Sequence, residues 1–195
     1  SRTEVTLTLA PNESVFIVYP ITENNEGKGQ EAPLQRVQKS KDKPTEKSKN
    51  IAIEPEKYTV TFVADNQTVT RRELFDWSKE EDKQIRYYSG TAIYKTTFSW
   101  KNKQQKGQEV YLHLGTVYNL ATVYVNGIDC GTVWTAPYRA NITAALKKGT
   151  NELEIEVTNT WANALKGADE GKAPFEGIWT NAKYRKQEDT LLPAG

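Results

Sequence analysis

The chain has 195 residues, 37% of them hydrophobic, and its 26 Lys and Arg against 25 Asp and Glu leave a formal charge of +1. That length suits one domain, or one domain with an appendage, and the near-zero balance supplies no basic field for nucleic acid. No apolar run approaches the roughly 18 residues of a membrane helix, and the single Cys forbids an internal disulfide.

Ser1 is not an initiator Met, which points to a mature form or an excised fragment. Residues 1–20 read as a strand pair. Val5, Leu7 and Leu9 alternate with Thr6 and Thr8, Ala10-Pro11-Asn12-Glu13 breaks the pattern, and Val15 to Tyr19 is continuously apolar. Two strands cannot bury both faces alone, so they pack on this chain or belong to a preceding region. Residues 21–50 hold four hydrophobics, seven basic and five acidic residues. Such a stretch cannot offset its ordering entropy, and it reads as a charged linker or mobile loop.

Residues 51–195 carry eighteen of the twenty aromatics and an all-β pattern. Tyr58, Val60 and Phe62 alternate with threonines, and Ala92, Tyr94, Thr96 and Phe98 share one face of a second strand. Val110, Leu112 and Leu114 lie opposite Tyr111 and His113. Val123 and Val125 lead into Asn126-Gly127, a strong hairpin signal, and Ile128 to Trp134 form the return strand. Leu153, Ile155 and Val157 face inward against outward Glu152, Glu154 and Glu156. Helix is scarce: Asn141 caps a turn through Leu146, and Ser78-Lys79-Glu80-Glu81 has capping-box spacing for another. Many short strands with regular turn signals predict a β-sandwich or barrel.

The chemistry inventory is thin. There is no G-x-S-x-G elbow, P-loop, H-E-x-x-H or EF-hand loop, and one His with one Cys cannot build a zinc site. His113 reads as a hydrogen-bonded sheet residue and Cys130, after the hairpin, as a small inert core residue. Acid–base work by two carboxylates stays formally open at Asp76, Asp169, Glu170, Glu176, Glu188 and Asp189. No catalytic residue, metal ligand or cofactor is assigned. The stronger signal is aromatic: Trp134, Tyr138, Trp161 and Trp179 fall at strand ends among Arg139, Asn159, Asn163 and Asn181. Rings stacked on sugar faces, with amides on hydroxyls, make shallow carbohydrate sites; rings plugging the ends of a sandwich are the other reading.

Five ordered blocks carry a resemblance: Tyr87-Tyr88-Ser89-Gly90-Thr91-Ala92-Ile93-Tyr94, Leu112-His113-Leu114-Gly115, Ala121 to Gly127, Gly131 to Tyr138, and Asn151 to Asn163. Together they resemble a galactose-binding-like jelly-roll β-sandwich with little helix, over about residues 56–195. More narrowly they resemble the carboxy-terminal sandwich of the α-L-rhamnosidases of glycoside hydrolase family 106, and more distantly the sugar-binding domain of family 2 glycosidases. Leu9 to Phe16 also resembles the strand pair that precedes this module. Two departures stand out. The family often has Arg-Leu-Ile-Gly where this chain has Ala164-Leu165-Lys166-Gly167, so any ligand role of that arginine is lost or moved. It also usually runs into a Gly-Pro-Val strand after the region of Leu191 to Gly195, so an absent last strand and an exposed edge are expected.

The resemblance implies a non-catalytic accessory or carbohydrate-binding module of a secreted or periplasmic bacterial glycoside hydrolase. The implied partners are a plant or microbial glycan and the catalytic domain of the parent enzyme, with no nucleic acid and no membrane span. A purely structural or protein-interaction module is the alternative, since fold alone does not establish binding. The expected binding residues are Trp134, Tyr138, Trp161 and Asn163, provided that their strand ends meet at one rim. The sequons at Asn12, Asn66 and Asn141 would be surface acceptors only in a eukaryotic secretory route.

Overall fold

The computed structural model describes residues 52–53, 55–101, 108–181 and 190–195. The strand pair expected over 1–20 and the linker expected over 21–50 lie outside the described residues.

Among the described residues eight antiparallel strands build the fold: β1 (Tyr58–Phe62), β2 (Gln67–Arg71), β3 (Thr91–Trp100), β4 (Tyr111–His113), β5 (Leu120–Val125), β6 (Ile128–Val133), β7 (Arg139–Asn141) and β8 (Gly149–Thr158). Six form one sheet in the order β2-β1-β3-β8-β5-β6, and β4 pairs with β7 in a second. The period-two pattern sets which face is buried. Paired inward residues run across the large sheet as Phe62, Ala92, Val157 and Ala121, with Val60, Tyr94, Ile155 and Val123 in the next row. Two threonine pairs on the other face, Thr61–Thr68 and Thr122–Thr132, are joined by hydroxyl hydrogen bonds of 3.0 and 2.9 Å. The hairpin expected at Asn126-Gly127 forms, with positive φ at both residues as a type I′ turn requires.

The inner face is covered in two ways. Toward one end Leu112 of β4 and Ala140 of β7 pack with Ile142 and Ala145 onto Phe98, Val123, Val125 and Leu153. The Asn141-capped turn is present: its Oδ1 accepts from Thr143 N at 3.0 Å, and Leu146 N donates to Ile142 O. Toward the other end the cover is a 3-10 turn (Trp77–Lys79), the short helix α1 (Lys83–Arg86) and Ala194. Here the capping expectation is corrected. Asp76, not Ser78, caps the 3-10 turn, accepting from Ser78 N at 3.0 Å, and Asp82 caps α1. An aspartate one residue before the turn outcompetes the serine because its carboxylate reaches the free N–H groups as a charged acceptor.

One element goes beyond the predicted strands. Helix α2 (Ala162–Asp169) follows β8, at the strand end that carries Trp161, where the sequence gives no helix signal. It packs closely through Gly167: a Cβ there would lie 2.5 Å from Tyr87 Cδ1 and 2.8 Å from Ala173 Cβ. Gly167→Ala is therefore expected to destabilise by about 1–3 kcal/mol despite alanine's better helix propensity. A melting temperature at or above that of the parent would contradict this packing. Among the described residues no helix is long and apolar enough to cross a membrane.

Candidate functional site

Strand direction brings two of the four expected binding residues to one rim. Val133 of β6 and Val157 of β8 both lie opposite Ala121 of β5. Both strands run antiparallel to β5, so both end on the same side of the sheet, separated by two strand spacings, about 10 Å. Trp134 leaves the sheet directly after β6, and Trp161 shortly after β8. Their side chains are bare, at 65% and 72% exposure, which removes them from the core-plugging reading.

The path into Trp161 is fixed by Asn159. Its Oδ1 accepts from Gly90 N at 3.0 Å and its Nδ2 donates to Tyr88 O at 2.8 Å, stapling the exit of β8 to the entry of β3. Trp161 then occupies the N-cap position of α2 and makes no side-chain cap bond, so its ring is left to the surface.

Tyr138 and Asn163 behave differently. Tyr138 is half-buried, packed against the cluster around Trp77, while its carbonyl accepts from Leu114 N at 2.9 Å. Asn163 is buried, and its amide is committed within the fold: Nδ2 donates to Leu192 O at 2.7 Å and Oδ1 accepts from Leu192 N at 2.8 Å. The amide expected to meet sugar hydroxyls thus tethers residues 190–195, while the Leu192 side chain is exposed. A buried donor–acceptor pair is satisfied more cheaply by one extended backbone than by solvent, and sequence carries no sign of that partner.

The candidate carboxylates are largely occupied in structural roles. Asp76 Oδ1 accepts from Ser78 N, Ser78 Oγ and Ala194 N, and Oδ2 faces Lys79 Nζ at 3.3 Å. Burial pushes its carboxyl up, but these hydrogen bonds outweigh that and hold it below the usual range. Lys166 first, and then Lys172, hold Glu170 below the usual range, with contacts of 2.6 and 2.9 Å. Asp169 lies in α2 and Glu176 in an exposed loop; Glu188 and Asp189 lie outside the described residues. Among the described residues no group of three or more His, Cys, Asp or Glu is placed to hold a metal ion.

His113 sits on the exposed side of β4 opposite Arg139, whose guanidinium lies 4.8 Å from the Tyr111 ring centroid. The Tyr111 hydroxyl donates to Glu109 Oε2 at 2.9 Å, and that bond, reinforced by burial, raises the phenol above its ordinary value.

A further feature lies on the outer face of the large sheet, toward the end opposite the tryptophan rim. A groove of about 600 Å³ crosses β1, β3, β8 and β5, its lining including Thr59, Lys95, Tyr124 and Glu154 along one row, Thr97 and Glu152 along the next, and Glu56 and Lys57 just before β1. Lys95 Nζ meets Glu154 Oε2 at 2.9 Å. The alternation in the sequence identifies these positions as outward-facing, but nothing in it signals that the face is concave.

A family model described as the glycosyl hydrolase 2 galactose-binding domain-like family matches residues 45–190. A curated protein of Formosa agariphila, whose name assigns it provisionally to the beta-glucuronidases, is 40% identical over 139 residues, which is 69% of this chain and 12% of that protein. The solved rhamnosidase from Novosphingobium sp. PP1Y is 36% identical with a TM-score of 0.65, over 77% of this chain and 15% of its own. The beta-D-glucuronidase structure from Dictyoglomus thermophilum has a TM-score of 0.48 at 22% identity, over 61% of this chain and 22% of its own. The chain thus spans only a small part of each of these proteins.

Proposed function

The chain belongs to the glycosyl hydrolase 2 galactose-binding domain-like family, and from that premise we propose that it is a non-catalytic accessory module of a secreted or periplasmic, α-L-rhamnosidase-like glycoside hydrolase, binding a plant or microbial glycan at the Trp134–Trp161 rim. The observation that carries this reading is the pair of bare tryptophans at the ends of two strands that run the same way. Such rings are costly to leave in water and offer flat apolar faces to sugar rings. Support for the rhamnosidase-like parent is the 36% identity and TM-score of 0.65 to the Novosphingobium protein. Tyr138, half-buried against the cluster around Trp77, is left out of this site, and Asn163 acts by tying the first turn of α2, next to Trp161, to Leu192.

The test is affinity electrophoresis through gels containing rhamnose-rich pectin. Trp161→Ala is expected to abolish retardation while leaving the melting temperature within a few degrees, because an exposed ring contributes little to the core. Unchanged retardation would overturn the binding role, and a loss on the order of 3–5 kcal/mol would identify Trp161 as core.

A second reading is favoured by Leu192, an exposed aliphatic side chain whose backbone is held by Asn163 of α2 and which offers no group for a hydroxyl. On that reading the rim docks on the rest of the parent enzyme. It requires a stable complex with the catalytic domain, disrupted by Trp161→Ala, and no response to sugar.

A further inference from the structure

The outer face of the six-stranded sheet is a different surface from the rim. We infer that it is a second binding site, for an extended saccharide that carries no carboxylate, centred on Tyr124. The choice of a saccharide rests on the reading of the chain as a glycan-handling module; the location and the charge preference rest on the groove itself.

Shape comes first. The groove of about 600 Å³ falls within the roughly 300–1,000 Å³ typical of ligand sites. It lies across strands rather than inside a cavity, which suits a chain of residues better than a single small molecule.

The register then shows how its floor is built. Thr59 lies opposite Lys95, Lys95 opposite Glu154, Glu154 opposite Tyr124, and Tyr124 opposite Asp129. One row of outward side chains therefore spans β1, β3, β8, β5 and β6, about 19 Å from first to last. The neighbouring row adds Thr97 opposite Glu152. These positions sit on a continuous ladder, with Lys95 and Glu154 already joined at 2.9 Å, so little ordering is left for a ligand to induce.

The chemistry of the row is the third observation. Carboxylates accept, lysines donate, threonine hydroxyls do both, and a single aromatic ring stands among them. Saccharide hydroxyls are both donors and acceptors, and their rings have apolar faces, so this alternation fits a glycan. A docking protein helix or strand would need an apolar stripe, and the lining has none: Leu153, its large aliphatic member, is buried beneath.

Charge selects within that class. Glu56, Glu152 and Glu154 line the groove against Lys57 and Lys95, and Asp129 and Glu156 flank Tyr124 on neighbouring strands. The field acts on Tyr124 itself, whose phenol is raised above its ordinary value by Glu156 first, then by loss of solvent, Asp129 and Glu154. A polyuronate would add like charge and be repelled. A neutral oligosaccharide has no such penalty.

The test is a backbone-amide NMR titration of the 195-residue chain with galactotetraose, cellotetraose and mannotetraose, and separately with trigalacturonate. A neutral tetrasaccharide is expected to shift amides at 95–97, 124–127 and 152–154, while trigalacturonate leaves them in place. Tyr124→Ala should weaken that binding about tenfold or more, the size of a lost stacking contact. Tyr124→Phe keeps the ring and should retain it, and Trp161→Ala should leave it unchanged. No shift with any of the three neutral sugars would overturn the inference, as would equal binding of trigalacturonate. Shifts confined to the tryptophan rim, or abolished by Trp161→Ala, would return all binding to that rim and overturn the second site alone.

Discussion

Trp77→Ala is expected to cost about 3–5 kcal/mol, the range for removing a large buried aromatic side chain. Trp77 has no exposed surface, and it meets Phe62 and Tyr88 edge-on at centroid distances of 5.2 and 5.8 Å. Its Nε1 donates to the Tyr94 hydroxyl at 2.6 Å, and its backbone N donates to Ala194 O. The cavity could not easily collapse, since the walls are rings pinned by β1, β3 and residues 190–195. Against a total stability of about 5–15 kcal/mol the loss is large, and calorimetry should show a melting point lower by about 10 °C or more. Trp77→Phe restores most of the volume but leaves the Tyr94 hydroxyl without this donor, so an intermediate loss is expected. A melting point for Trp77→Ala close to that of the parent would show that the aromatic cluster does not hold the two layers together. Burial, opposed by the Trp77 hydrogen bond, pushes the Tyr94 phenol up to about 12 from 10.0. A group whose folded pKa is raised contributes stability that is fully present below its unfolded pKa. The Tyr94 contribution should therefore be intact below pH about 10 and be lost as pH rises toward about 12.

Asn151→Ala should be comparably severe, about 3 kcal/mol or more, although it removes no hydrophobic surface. Asn151 is fully buried and its amide is saturated. Nδ2 donates to Lys147 O at 2.8 Å and Gly149 O at 3.0 Å, while Oδ1 accepts from Lys147 N at 2.9 Å and from Asn126 Nδ2 at 2.8 Å. Asn126 donates in addition to Ala145 O, and its Oδ1 accepts from Glu152 N. Two amides thus lock the β5–β6 hairpin, the turn after β7 and the start of β8 into one unit. Truncation strands several buried donors and acceptors together. Asn151→Asp keeps the shape and two acceptors but turns a charge toward two carbonyls, and it should not rescue. Urea midpoints measure the loss, and amide exchange at Lys147 should accelerate more than at the centre of β3. A loss below about 1 kcal/mol would show that water substitutes for the network.

Much of the fold is legible in the sequence because alternation reports burial directly. Phe62, Tyr94, Val123 and Val157 all point where their period places them, and Asn126-Gly127 turns where expected. Helix α2 is harder to see. Its buried positions are Asn163, Ala164 and Gly167, a small and partly polar stripe that no hydrophobic periodicity reveals. Buried asparagines have the same blind spot: Asn151 and Asn163 read like surface residues until their backbone partners are known. At the rim, Trp134 and Trp161 stand out in the sequence, but their meeting at one edge depends on both strands flanking β5, a long-range pairing. The outer groove is hidden for a different reason. Alternation assigns Tyr124 and Glu154 to solvent, and says nothing of whether the surface they share is convex or hollow.

The centre of the large sheet is the ten-residue ladder between β3 and β8, whose nearest partners in sequence, Trp100 and Gly149, are separated by four other strands. That connectivity bears on how the chain reaches its native state. The β1–β2 and β5–β6 hairpins close over short loops, on the order of microseconds. The ladder must close a far longer one before any of its contacts repay the entropy, which places folding in the slow class of non-local β proteins, about milliseconds to seconds. Until β8 docks, β3 and β5 each present an unpaired edge, and those edges are the surfaces through which two partly folded copies would join.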